Sequence, residues 1–469
     1  MTEGILRYLT TVRATCEAVM HAPNDPVSRR RLEQVCQILN ILVADAKGSR
    51  RLEARAFDQF RGLLEPLQES IPWRAARDFE SAKALVAKII GLPDAIPGTS
   101  EFCRRAVEVE REYLLDSEQA LREESKPTAR GAHEGTRGDV PNAAAVSEYL
   151  SGVFAQAVEV SDIDTVSLGY SKATYLLGIR ASGRVPAALV IRMDRPFNFL
   201  GTTVVDEYPV LQVLHESGVS VPRPYALEPT GGVLGQPFLV VSRAYGRNVG
   251  SHFSFPPRNV ELCAQIGAKL AQIHRVPVAK FGPGLRGTAL SAEEQIAAEI
   301  ARYHADWSSL HAVSPTMEAA FRWIKQHAGD AVSGRTLVHG DFSLSNLLIS
   351  DGGEVAAILD WEFTQLGPPA ADIGWFFTAA EHLASWEEFL AAYRAAGGTV
   401  PPKKQLDFFV LWGMVRLAVM NFQVQSAFEG GRMRDIKHAY AAISFTRECV
   451  LRVGACLSEL LVAEARAAS

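Results

Sequence analysis

Apolar residues recur every three to four positions through Leu32, Val35, Cys36, Leu39, Leu42 and Val43, which puts them on one face of a helix. Pro23 and Pro26 precede that stretch and Gly48 follows it, so the helix is expected between them. A second stripe, Leu85, Val86, Ile89 and Ile90, stops at Gly91 and Pro93. Residues 1–117 are therefore expected to form a bundle of four or five helices. No grouping of reactive side chains occurs there. The bundle reads as structural, with a docking surface for a second copy or a protein partner, or a substrate lid, as the functional alternative.

The pattern then changes twice. Residues 118–143 carry Glu123, Glu124, Lys126, Pro127, Gly131, Gly135 and Gly138 and almost no large apolar side chain, the composition of a flexible linker. After it a helix is expected over Val146–Val158, then strands at Thr165–Leu168, Ala173–Ile179 and Ala187–Arg192. A helix carrying Glu207, Val210, Leu211 and Leu214 follows, with strands near Tyr225–Leu227 and Phe238–Val241. From Val260 the chain reads as mainly helical. The expected class is α+β, a small sheet with one helix followed by a mostly helical region.

Composition narrows the picture little. The 469 residues are 48% apolar and 22% charged, with a formal net charge of −5. That charge gives no general attraction to nucleic acid or to an anionic membrane. The longest apolar run, near Phe408–Phe422, is short for a bilayer and is broken by Arg416, so a core helix is expected. Cysteines at 16, 36, 103, 263, 449 and 456 form no C-x-x-C and no zinc spacing. With an N-terminus unlike a signal peptide, they suggest free thiols in a cytoplasmic protein.

The chemistry concentrates in His339-Gly340-Asp341-Phe342-Ser343-Leu344-Ser345-Asn346, followed by Ile358-Leu359-Asp360-Trp361-Glu362. Phosphoryl transfer needs a carboxylate to orient the attacking hydroxyl and take its proton, and oxygen ligands for Mg²⁺ on the ATP phosphates. The spacing H-x-D-x-x-x-x-N with a second Asp beyond it supplies these groups. Asp341 is the expected base, and Asn346 and Asp360 the expected metal ligands. Leu347–Ile349 and Val355–Leu359 read as two strands joined by Ser350–Gly353, a hairpin that would bring Asn346 beside Asp360. H-G-D by itself occurs in many turns; the added Asn, hairpin and Asp make the set specific.

Other residues gain meaning from that set. The turn Gly169–Lys172, including Ser171, falls where backbone N–H groups could cover phosphates. Arg192 could pair with phosphates and with the helix carboxylate Glu207, with Arg195 as the alternative cation. Glu362 is expected at the metal shell or the acceptor. Asp372 suits a helix start and a brace for the catalytic loop, and His274 a satisfied core position.

These segments resemble the aminoglycoside phosphotransferase-like kinases, relatives of choline kinase. The resemblance runs over residues 145–450 and includes Asp206-Glu207-Tyr208, Val221-Pro222-Arg223-Pro224, Leu234–Val240, Leu270–His274 and Gly367–Trp375. It is strongest toward the branch associated with acyl-CoA dehydrogenases, some of whose members phosphorylate hydroxyacyl-CoA. It implies a two-lobed protein-kinase-like fold, with residues 144–243 as amino lobe and 244–469 as carboxyl lobe, and ATP with Mg²⁺ between them. It implies Ser242 and Arg243 near the adenine, and a small-molecule hydroxyl as acceptor. The chain departs from the family at Leu168-Gly169, where many members carry two glycines. It departs again at Arg192 in place of lysine and at Gly367-Pro368-Pro369. A hydroxyacyl-CoA or hydroxy acid is the expected acceptor, with an aminoglycoside as alternative. A nucleotide-sensing module with a partner-docking helical domain is the non-enzymatic reading. No Asp-Phe-Gly with a following Ala-Pro-Glu supports a protein kinase.

Overall fold

The computed structural model describes residues 8–9, 11–12, 15–16, 26–67, 76–92, 99–124, 140–166, 172–183, 185–195, 201–332, 334–433 and 436–468. Helices come first: α1 (Pro26–Leu64), α2 (Phe79–Gly91), α3 (Thr99–Glu124) and α4 (Ala143–Phe154). The strands β1 (Val158–Val166), β2 (Lys172–Ala181) and β3 (Ala188–Asp194) lead into α5 (Val204–Glu216), β4 (Pro224–Glu228) and β5 (Phe238–Ser242). Next are α6 (Val260–His274), α7 (Ala292–Ser309) and α8 (Pro315–Gln326). Short strands β6 (Thr336–Val338), β7 (Leu347–Ile349), β8 (Val355–Ile358) and β9 (Gln365–Gly367) follow. The chain closes with α9 (Ala370–Leu383), α10 (Trp386–Ala395), α11 (Lys403–Glu429) and α12 (Ile436–Ala468). The α+β class expected from the sequence is observed.

Packing divides the chain into two compact units, one of Met1–Gly131, Ile296–Ala331 and Asp407–Ser469, the other of Ala132–Gln295 and Val332–Leu406. The first unit is helical. Here α1 packs on α3, α2 on α8, and α12 on both α1 and α3. The helix expected to stop at Gly48 runs through it to Leu64, because one interior glycine costs only about 1 kcal/mol and the apolar stripe continues to Phe60, Leu63 and Leu64. Residues 118–124, expected as linker, prolong α3. Residues 125–139, the rest of that stretch's glycines and charges, lie outside the described residues.

Two buried charges in this unit are satisfied locally. Glu110 accepts from the Ser314 hydroxyl and the Thr316 N–H, each at 2.8 Å. Arg416 Nε lies 3.4 Å from Glu299 Oε1 and 3.4 Å from the Tyr303 hydroxyl. Arg416 is thus a buried arginine paired with a carboxylate. It lies in α11, a helix long and apolar enough to cross a bilayer, more than half of whose apolar window is buried in the fold. Cys103, Cys263 and Cys449 are buried free thiols, each pushed upward in pKa by burial.

The second unit holds a five-stranded antiparallel sheet in the order β1-β2-β3-β5-β4. Its apolar face (Tyr175, Leu177, Leu189, Ile191, Phe238 and Val240 among others) packs on Val146 and Leu150 of α4. Asn142 caps that helix by accepting from the N–H groups of Ala144 and Ala145. The helix ends earlier than expected. Ala155 takes a left-handed conformation at φ 51°, and the chain leaves as β1 at Val158. So β1 covers Val158–Val166 instead of starting at Thr165, and Lys172, expected in the turn, opens β2 opposite Asp194 of β3. Gly169 and Ser171 lie outside the described residues. Elsewhere in the unit β7 and β8 form the expected hairpin, and β6 pairs with β9.

Candidate active site

The segment after β6 is fixed by one carboxylate. Asp372, in the first turn of α9 and fully buried, accepts the N–H of His339 at 2.7 Å and of Gly340 at 2.8 Å. His274 Nε2 sits 3.1 Å from the same carboxylate, and its Nδ1 lies 2.8 Å from the Tyr393 hydroxyl. The brace expected of Asp372 and the core position expected of His274 are thus one network. Gly340 is required by its setting. Its φ is +83°, and a Cβ there would meet the Phe363 carbonyl oxygen at 2.5 Å.

That brace presents Asp341 to three donors. Its Oδ1 accepts from Trp375 Nε1 at 2.9 Å and faces His252 Nε2 at 3.3 Å, and its Oδ2 accepts from Asn346 Nδ2 at 2.8 Å. Burial pushes the Asp341 carboxyl up, but His252, His339 and Asn346 outweigh it and hold the group below the usual carboxylate range. A group so held is ionised and accepts hydrogen bonds.

The β7–β8 hairpin closes as expected, with the Leu359 N–H donating to the Asn346 carbonyl at 2.8 Å. Asp360 therefore follows directly beside Asn346. It adopts a left-handed conformation at φ 68°, which Asp tolerates better than most residues. Its Oδ1 is met by Arg192 Nη2 at 2.7 Å, and the same nitrogen lies 3.4 Å from Glu207 Oε2. Arg192, not the alternative Arg195, is therefore the cation at this carboxylate. Burial works against the charge on Arg192, but Glu207 and Asp360 outweigh it and raise its pKa.

Burial first, then Asp360 and Glu362, push Glu207 up to about 7, with Arg192 opposing. A carboxyl raised in this way holds its proton more tightly folded than unfolded. Its contribution to stability is fully present below its ordinary value of 4.5 and is lost as pH rises through about 7. The melting temperature of the nucleotide-free protein is expected to fall over that window, and Glu207→Gln to flatten the fall. Parallel pH profiles for the two proteins would contradict this.

An Mg²⁺ ion carried in on nucleotide phosphates needs only one or two protein oxygens, the rest coming from phosphate and water. The arrangement fits that demand. Asn346 and Asp360 are adjacent, Asp360 is about a third exposed, and a guanidinium already occupies its oxygen as a cation would. Among the described residues no cluster of three or more His, Cys, Asp or Glu forms a self-contained cage.

Three participants were not singled out from the sequence. His252 lies in the loop between β5 and α6, with no flanking motif to mark it. Trp375 was legible only as part of Gly367–Trp375. Lys172 looked like a turn residue, yet its buried Nζ lies 3.2 Å from Asp194 Oδ1, 3.4 Å from Glu362 Oε2 and 2.8 Å from the Thr202 carbonyl oxygen. Thr202 also donates to Glu362 at 2.6 Å. Glu362, expected at the metal or the acceptor, is thus a tether from the turn after Asp360 to the start of β2 and to the segment before α5. Lys172→Met removes the cation between the buried carboxylates of Asp194 and Glu362 and is expected to cost about 3–5 kcal/mol. An unchanged denaturant midpoint would contradict it.

Ser242 closes β5 by accepting the Arg223 N–H at 2.9 Å, and Arg243 stacks over Tyr245 at 5.2 Å.

Comparison with known proteins agrees with this geometry. Rat acyl-CoA dehydrogenase family member 11 is 25% identical over 236 residues, 49% of this chain and 29% of that protein. Mouse acyl-CoA dehydrogenase family member 10 is 27% identical over 307 residues, 59% of this chain and 27% of that protein. The match therefore spans less than a third of these relatives' length. A solved structure from Ralstonia eutropha bearing the name of an aminoglycoside phosphotransferase superposes with a TM-score of 0.52 at 18% identity, over 68% of this chain and 99% of the other. It shows a shared kinase-like fold. The profile of the phosphotransferase enzyme family matches residues 162–409, more than half of the sequence and all of the described site from Lys172 to Trp375. The chain belongs to the phosphotransferase enzyme family.

Proposed function

We propose that this phosphotransferase moves the γ-phosphate of ATP to a hydroxyl of a small molecule, and that the acceptor is a hydroxyacyl-CoA or hydroxy acid. The observation that carries the transfer is the convergence of an ionised, half-buried Asp341 with Asn346, Asp360 and Arg192. Asp341 orients the acceptor hydroxyl and takes its proton. Asn346 and Asp360 hold Mg²⁺, which when bound neutralises charge on the phosphates. Arg192 turns from Asp360 toward those phosphates, and Glu207 keeps it in place. The loop at Gly169 and Ser171 supplies backbone N–H groups, and Ser242 and Arg243 border the adenine.

Two observations favour the acyl acceptor. The relatives are named for acyl-CoA dehydrogenases. In addition, two of the acidic side chains on and near α10 are engaged: Glu381 accepts the Trp386 N–H at 2.6 Å and Glu388 pairs with Arg258 at 3.1 Å. A polycationic acceptor would need such carboxylates free.

The test is ADP release from Mg-ATP, coupled to NADH oxidation, across hydroxyacyl-CoAs, hydroxy acids, choline and aminoglycosides. Turnover with acyl acceptors above the others supports the reading. Turnover confined to aminoglycosides replaces the acceptor. Silence from a folded, ATP-binding protein would favour a nucleotide-sensing module that docks a partner through residues 1–117.

A further inference from the structure

The donors around Asp341 are distributed unequally. A carboxylate oxygen has two lone pairs. On Oδ1 both face donors, the Trp375 indole at 2.9 Å and the His252 imidazole at 3.3 Å. On Oδ2 one lone pair takes the Asn346 amide at 2.8 Å. The acceptor hydroxyl is left a single berth.

We propose that His252 is a positioning residue which, with Trp375, closes Oδ1 of Asp341 so that the acceptor hydroxyl engages Oδ2 alone, on the side of Asn346. This rests on Asp341 being the base of the proposed transfer. In the step, the acceptor O–H bond breaks and its oxygen bonds to the γ-phosphorus as the P–O bond to ADP breaks. The proton lands on Oδ2, and His252 and Trp375 keep theirs. One berth aligns the attacking oxygen once; two would admit a second, unproductive pose.

The placement of His252 is built into the fold. The loop after β5 is stitched to the catalytic segment by Arg247 and Ile349, which exchange backbone bonds at 2.8 and 2.9 Å. Asn248 adds bonds to the carbonyls of Leu344 at 3.0 Å and Ser345 at 2.6 Å. At Gly246, φ +149°, a Cβ would stand 2.9 Å from the Ile349 carbonyl oxygen, so the backbones meet closely. The His252 ring meets Trp375 edge to face at 5.2 Å, so the two donors support each other. Beyond them Arg258 bonds the Ala384 carbonyl and Glu388, which anchors the far end of the loop.

The experiment has two arms. The first needs no turnover: nitrogen-15 spectra of the imidazoles, with the His252 signals assigned by their loss in His252→Gln. Asp341→Asn should shift those signals, and identical His252 signals in both backgrounds would overturn the contact. The second is steady-state kinetics. His252→Ala should lower kcat on the order of tenfold to a hundredfold with KM for ATP unchanged. His252→Gln, which offers an Nε2–H donor, should restore most of it. If His252→Ala does not fold, Trp375→Phe, which frees the other lone pair of the same oxygen, should lower kcat in the same way. Full activity in these variants beside an inactive Asp341→Asn would overturn the positioning role and leave the transfer reading intact. Full activity in Asp341→Asn would instead remove the reading on which it rests. Loss in His252→Gln equal to that in His252→Ala would also count against the donor role.

Discussion

Asp341→Asn is expected to fold, to bind ATP as before, and to lose phosphoryl transfer by about 10²–10⁴-fold. The substitution keeps the size of the side chain and an oxygen for Trp375. It removes the negative charge and the basic oxygen on which the acceptor proton would land. It also turns one side of the group into a donor, which cannot accept both Asn346 and the acceptor hydroxyl. On the proposed reading nucleotide affinity rests on Arg192, Asn346 and Asp360, so calorimetry with ATP should read the same for both proteins, while single-turnover ADP release should separate them. Near-normal turnover in the variant would remove Asp341 from the role of base.

Asp372→Ala is expected to cost about 3–5 kcal/mol of stability. Its carboxylate is fully buried and receives two backbone N–H groups besides facing His274. Truncation leaves both N–H groups buried without an acceptor, each costing about 1–3 kcal/mol, and leaves an imidazole with one partner fewer. The denaturant midpoint of the variant should fall clearly. Any folded fraction should turn over slowly, because the peptide bonds at His339 and Gly340 aim Asp341. Asp372→Asn, which keeps one carbonyl oxygen, should lie between the two. A midpoint for Asp372→Ala equal to wild type would show that the brace is not needed.

Both predictions concern residues visible in the sequence, and the reason is local. The catalytic segment and the residue after β8 are joined by a hairpin of about a dozen residues, and a hairpin's register follows from its own alternation and turn. Asn346 and Asp360 therefore had to meet. The helix that carries Asp372 was legible for a similar reason, since a Pro-rich turn followed by an acidic residue is local chemistry, although the helix begins at Ala370 with Pro369, not Asp372, at its cap position. Helix ends were less legible. The stop expected at Gly48 failed because a glycine ends a helix only when the apolar stripe ends with it, and this one continues to Phe60 and Leu64. The extension of α3 through residues 118–124 escaped notice because its charges suit a solvated helix as well as a linker.

The contacts of longest sequence separation were not legible. Lys172 and Glu362 are 190 positions apart, and nothing around Lys172 distinguishes a buried cation from a turn lysine. His252 reaches Asp341 across 89 positions because backbone bonds between Arg247 and Ile349, both generic β contacts, lay one loop over the other.

The sequence by itself determined the candidate reactive set and the class of the fold, because spacing within one hairpin and the period of apolar residues are properties of neighbouring positions. Only the tertiary structure decided which oxygen of Asp341 is open and which cation meets Asp360. It also decided that Glu362 ties a turn to the sheet, because each of these is set by segments that share no local pattern and meet only when the core is packed.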